Sequence, residues 1–226
     1  MKKLLLTLFS MMMIFSITTI AFASETPIAV PQHTMIEVEI DYNSAVENAD
    51  GTVTYDILNA ADLAMAWGID ESDIKEVKYV AFNRIDESHP APRASISIEN
   101  IEGPFEACGV DLIARNSATN YTNKTITKNI TLTGTVSNSY SLSNEIGIDV
   151  EVAQISSAVG FSVTDSWSMS DSTEVVLEPG ETITVDAMPL YDVYTFDVYQ
   201  NSFWTGKTKV CTGAAYETVG FCTVIY

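Results

Sequence analysis

Two histidines, three cysteines and thirty carboxylates are the residues with which this chain could do chemistry. Their spacing offers little of it. His33 and His89 lie 56 positions apart, in segments that read as an arm and a Pro-rich loop, so no helix face carries both as zinc ligands. There is no C-x-x-C pair and no G-x-S-x-G nucleophile elbow. Gly206-Lys207-Thr208 imitates the end of a phosphate-binding loop, but Asn201 stands where its first glycine belongs and the surroundings are β-rich. Asn48, Asp50 and Gly51 echo the middle of a calcium loop, whereas Val46 and Ile57 occupy the positions where carboxylates open and close one. Thirty carboxylates produce close pairs by chance, and nothing marks one pair as a glycosidase dyad. Asn120, Asn123 and Asn129 begin Asn-x-Thr sequences, glycosylation acceptors only in a host with that machinery. The expectation is a chain that is not an enzyme, with no catalytic residue, no metal and no cofactor.

The cysteines allow a different chemistry. Cys211 and Cys222 flank CTGAAYETVGFC, which reads as a terminal hairpin that a disulfide would close; so short a loop gives about 2–3 kcal/mol in the entropy model. Cys108 is then a buried thiol or an intermolecular partner, although spacing also permits it to pair with either of the others.

The stretch with the clearest physical pattern runs from Asn144 to Val163, NEIGIDVEVAQISSAVGFSV. Ile146, Ile148, Val150 and Val152 share one parity, and Val159, Phe161 and Val163 repeat the pattern after six residues that are mostly small or polar. Read as a β-hairpin, it is cleanly two-faced. One face could cover a core; it could equally meet lipid, since a spanning strand needs only about 9–11 residues of alternating character. In the second case Glu145, Asp149 and Glu151 would line a lumen and favour cations.

The elements around this stretch are mostly strands. Met35–Ile40 alternates, GTVTYDI is extended, and Val77–Ile85 and Ala94–Ile101 read as strands on either side of a loop with two prolines. Asn59–Trp67 is the best helix, with Asn59 as N-cap and Gly68 as stop, and Asp70–Asp73 begins a further short helical turn. From Thr119 onward the chain is rich in Ser, Thr and Asn and alternates almost without a break, which suits long antiparallel strands with one wet face. The fold class expected is mainly β: elongated antiparallel sheets with long Ser/Thr-rich strands and a small helical unit near the N-terminus. Residues 1–23 read as a signal peptide, 24–118 as an α+β portion, and 119–226 as a β-rich portion that could be continuous with it.

The signal peptide rests on Lys2 and Lys3, the uncharged run Leu4–Ile20, and the small-x-small site of Ala21 and Ala23, with cleavage before Ser24. An uncleaved anchor is the alternative, the run being close to the ~20 residues that span a bilayer. The formal charge of −19 becomes −21 without the two lysines (9 basic against 30 acidic residues). Such acidity excludes nucleic acid as a partner, for which a basic face is required. Secretion to the extracellular space is expected.

From Thr125 to Thr173 the order of segments resembles the aerolysin-like β-pore-forming proteins, especially the epsilon-toxin and mosquitocidal-toxin group. The residues that carry the resemblance are TKNITLTGTVSNSYSLS on entry, the amphipathic stretch Glu145–Val163, and SVTDSWSMSDSTEVVLEPGETITV on exit, with VLEPGETIT at Val176–Thr184 matching a V-x-PG-T strand. It covers about 80 of the 203 residues that follow the signal peptide, from Thr119 to Val198. The chain is short for that group, Glu178 replaces a proline often found there, and no receptor-binding head precedes the strands. The resemblance implies a toxin-like homo-oligomer that inserts the hairpin into a target membrane, after binding that membrane or a cell-surface receptor. A secreted, non-catalytic β protein that binds carbohydrate, protein or a cell surface is the other expectation. Dye release from liposomes separates the two.

Overall fold

The computed structural model describes residues 34–48, 51–82, 96–143 and 150–226. The expected cleavage residues Ala21, Ala23 and Ser24, both histidines, and Glu145, Ile146, Ile148 and Asp149 lie outside the described residues.

Among the described residues the chain is mainly β, with antiparallel pairing throughout and two short α-helices. Its strands are β1 (Met35–Glu37), β2 (Ile40–Glu47), β3 (Val53–Ile57), β4 (Glu76–Ala81), β5 (Ile96–Gly109), β6 (Ala114–Thr119), β7 (Ile126–Ser137), β8 (Ser139–Leu142), β9 (Ser166–Leu177), β10 (Thr182–Ser202) and β11 (Gly206–Ile225). Helix α1 spans Ala60–Trp67 and α2 spans Val152–Val159. Among the described residues, nine strands form one sheet along the path β1-β5-β10-β11-β4-β3-β2, with β6 also on β10 and β8 also on β11, and β7 and β9 pair only with each other. Strands from 24–118 and from 119–226 therefore share a single sheet.

The axis of the molecule is the β10–β11 hairpin. Its strands hold 21 and 20 residues, roughly 65–70 Å at the rise of a strand, and pair from Val185–Ile225 out to Ser202–Gly206. The sequence expectation of a terminal hairpin closed by Cys211 and Cys222 is corrected here. Both cysteines sit on β11, eleven residues apart along one extended strand, more than about 30 Å, where a disulfide needs Cα atoms within ~7 Å. The glycines that suggested a turn serve close packing instead. A Cβ on Gly213 would meet the Phe196 ring at 2.4 Å, and one on Gly220 would meet the Val80 carbonyl oxygen at 2.0 Å. The disulfide joins Cys108 of β5 to Cys222 of β11, and Cys211 is a free, buried thiol.

At the Thr182 end of β10 both faces of the sheet are covered. Ile183, Val185 and Ala187 meet Ile130, Leu132, Met169 and Leu177 of the β7–β9 ribbon. Met188 and Leu190 pack with the disulfide cysteines, Tyr79, Val224 and Leu63 of α1. Helix α1 forms as its sequence predicts: Gly68 closes it in the left-handed region, with φ at +71°. Asn59 precedes it, but its side chain ties β1 instead, accepting from Glu39 N at 2.9 Å and donating to Glu37 O at 2.8 Å. Asp70 does cap the following 3-10 turn, Glu71–Asp73.

Candidate functional site

Alternation in β7 sorts its residues cleanly. Ile130, Leu132 and Val136 are buried, while Thr127, Asn129, Thr131, Thr133 and Thr135 are exposed. β9 does the same with Met169, Val175 and Leu177 against Ser168, Ser170 and Ser172. The two strands register from Ile126–Leu177 to Ser137–Ser166 and form no backbone ladder with any other strand among the described residues. Their ribbon is therefore held to the large sheet by its apolar face and by side chains. Buried Asn120 fastens its root: Nδ2 donates to Leu177 O and Lys124 O, and Oδ1 accepts from Thr122. With all its polar atoms engaged, Asn120 is a structural residue and not an open glycosylation acceptor.

Beyond the Ser137–Ser166 pair the chain does not turn directly. The connection, 138–165, has 28 residues, and its described parts, 138–143 and 150–165, fold back over the distal half of β10–β11. β8 lies on β11 through Ser139–Tyr216 to Leu142–Gly213. The return arm is α2 and a short coil. Here the structure corrects the sequence reading of a β-hairpin across Val150–Val163. Val152, Ile155 and Val159 stand at i, i+3 and i+7, the spacing of a helix face. Glu151 and Gln154 form a reciprocal capping box, and Gly160 ends the helix with φ at +91°. Those local signals outweigh the strand parity.

The apolar face of this segment is core in the state described. Ile155, Phe161 and Val163 are buried against Phe196, Val198, Cys211 and Ala215, and Val150, Val159, Tyr140 and Leu142 are half-buried around them. Phe161 meets Tyr194 with ring centroids 5.5 Å apart. Val152 is the exception at 38 % exposed, and Glu151 is exposed at the N-cap.

One buried polar residue closes the segment. Asn138 N donates to Asp165 O at 2.8 Å and its Nδ2 donates to Ser162 O at 2.7 Å. Its Oδ1 accepts from Thr218 N at 2.7 Å, where β11 bulges against β10. Asn138 thus pins both ends of the segment to each other and to β11, with all three contacts inside. Nothing in the sequence Ser137-Asn138-Ser139 distinguishes it from its neighbours; Ile155, also missed, could have been found from the helical spacing of Val152, Ile155 and Val159.

The free thiol lies directly beneath. Cys211 is 6 % exposed, under Ile155, Phe161 and Val163, and burial pushes its pKa up. It is protected and unreactive as long as the segment stays in place.

No protein-family model matches the chain and no curated relative is found for it. Solved structures give likenesses of low score. Parasporin-2 of Bacillus thuringiensis, a toxin that recognises cancer cells, is 15 % identical over 67 % of this chain and 71 % of its own, with a TM-score of 0.24. A candidate pore-forming toxin of Bacteroides vulgatus is 8 % identical over 85 % and 74 %, with a TM-score of 0.30. Lamprey immune protein is 10 % identical over 84 % and 76 %, with a TM-score of 0.28. The functional reading rests on the chain's own geometry.

Proposed function

We propose that this chain is a secreted β-pore-forming protein whose segment 138–165 leaves the β10–β11 sheet and inserts into a target membrane as an amphipathic hairpin. The observation that carries the reading is the tucked segment itself. It joins two strands already paired to each other, and the apolar side of its described residues is covered by packing on β10 and β11, which pair with each other without it. Its 28 residues suffice for two strands of about 9–11 residues and a turn. Extended from the Ser137–Ser166 pair, it continues the ribbon that β7 and β9 begin, and α2 converts to strand and turn. Lipid tolerates no open strand edge, so several copies must close a ring. Ile146, Ile148, Val150, Val152, Val159, Phe161 and Val163 then face lipid, and Glu145, Asp149 and Glu151 face a cation-preferring lumen.

Val159 supplies the test, because it is only half-buried in the soluble fold and, with the Ser137–Ser166 register continued, pairs with position 144 midway along the inserted arms. Val159→Lys lowers the melting temperature modestly and abolishes dye release from liposomes, a cation near the midplane of a barrel's lipid face costing about 2–4 kcal/mol. Glu151→Gln keeps release and weakens cation preference in planar bilayers. Wild-type protein that neither oligomerises nor releases dye on any membrane would reduce the segment to core.

A further inference from the structure

The far end of the β10–β11 hairpin carries two large side chains that the fold does not use. The turn is Phe203-Trp204-Thr205, closed by the Ser202–Gly206 pair, with Gly206 at φ +73° and Trp204 N donating to Ser202 Oγ at 3.3 Å. Only Gly206 is demanded by the geometry of such a turn; small polar residues serve the other positions. Instead Phe203 is 93 % and Trp204 is 89 % exposed, their rings edge to face with centroids 5.3 Å apart. Scattered single exposed rings need no explanation. An adjacent pair at the apex of the longest hairpin contributes nothing to the core and costs solubility.

The surroundings say which partner fits. The apex is convex, whereas sugars and small ligands are held in concave sites with converging polar groups. In a chain of net charge −19, this end is locally balanced: Lys207 pairs with Glu99 and Lys209 with Asp197. A phosphate-bearing surface is not repelled there as it is by the chain at large. Trp, with Phe beside it and lysines just behind, is the composition that sits at the headgroup level of a bilayer. We propose that Phe203 and Trp204 form an anchor that docks the β10–β11 tip into the interface of a zwitterionic membrane. Depth is limited to the interface, since the turn's polar backbone cannot enter hydrocarbon. The same end receives the outgoing arm of the tucked segment, whose Ser143 lies beside Thr212 with Ser143 N donating to Thr212 O at 2.8 Å. Docking by the tip therefore brings that arm toward the membrane.

The anchor is tested apart from pore formation, by co-flotation of the full chain with phosphatidylcholine vesicles and quenching of tryptophan emission by brominated lipid. Wild type floats and is quenched. Phe203→Ser/Trp204→Ser keeps its melting temperature and loses binding on the order of tenfold or more. Tyr121→Ser serves as control: this ring is 92 % exposed but sits beside Asn120, whose amide is on Glu181 at the opposite end of β10, and its loss leaves flotation intact. Failure of wild type to float, equal flotation of the double variant, or flotation that requires a glycolipid and is competed by free sugar would each overturn the inference. A chain that floats without releasing dye would keep the anchor and remove the pore.

Discussion

The two ends of the β10–β11 hairpin are held by different means. At the Thr182 end, β5 and β11 are joined by a buried disulfide, and β6 is fixed by a bidentate ion pair in which Arg115 Nε and Nη2 donate to Asp186 at 2.6 Å each. Both faces there carry continuous core. Around the distal half, the described covering layer is β8, α2, Asn138 and the coil that carries Phe161 and Val163. Removing that layer breaks no strand pairing within β5-β10-β11. The contrast teaches where this fold is permanent and where it can exchange partners: covalent and bidentate links hold the scaffold, whereas apolar contact, the short β8–β11 pairing and the Asn138 clasp hold the part proposed to move.

The largest effect belongs to the permanent end. Cys108→Ala/Cys222→Ala reopens a loop spanning a sequence separation of 114, and urea unfolding should show a loss of about 4–5 kcal/mol. A loss that small variants of the segment also reproduce would erase the contrast between the ends. Next comes the clasp. Asn138→Ala leaves Thr218 N and Ser162 O without their partner, a cost of about 1–3 kcal/mol. The effect should be local: alkylation of Cys211 accelerates while the disulfide core keeps its protection from hydrogen exchange. Uniform loss of protection along β10 would show that the segment and scaffold unfold as one.

The smallest effect is electrostatic and lies at the distal end. Hydrogen bonds from Lys207 and Lys209 hold the Glu99 and Asp197 carboxyls below the usual range. Groups depressed in the folded state contribute stability above their unfolded values, about pH 4, and lose it as pH falls through the lowered ones. Melting temperatures of wild type and Lys209→Met should thus differ slightly at neutral pH and converge in acid. The pairs are solvent-exposed and screened, which keeps the difference small.

What could be read from the sequence divides along the same line. β7 was legible because one face is buried and one wet, so burial is written as alternation from Ile126 to Ser137. α1 was legible from Gly68, and the turn before β10 from Glu178-Pro179-Gly180. β11 was not, because Gly213 and Gly220 look like turn residues and only packing against Phe196 and Val80 reveals why they are glycine. The disulfide followed from that error, since pairing depends on which strands flank β10. In the tucked segment two periodicities compete: Val150, Val152, Val159, Phe161 and Val163 alternate as a strand would, while Val152, Ile155 and Val159 with Gly160 spell a helix. A segment that carries both patterns is what a change of structure between water and lipid requires.

The central claim is that segment 138–165 must leave the β10–β11 sheet for a pore to form. A reversible lock tests it most directly. Ser141 lies opposite Ala214 in the β8–β11 register, so Ser141→Cys/Ala214→Cys can tie the outgoing arm to the sheet, exposed to mild reductant while the buried Cys108–Cys222 bond is retained. The account predicts that the oxidised variant releases no dye from liposomes and that reduction restores release to the wild-type level. Equal release from oxidised and reduced protein would show that the segment stays where it is while the membrane opens, and would contradict the account.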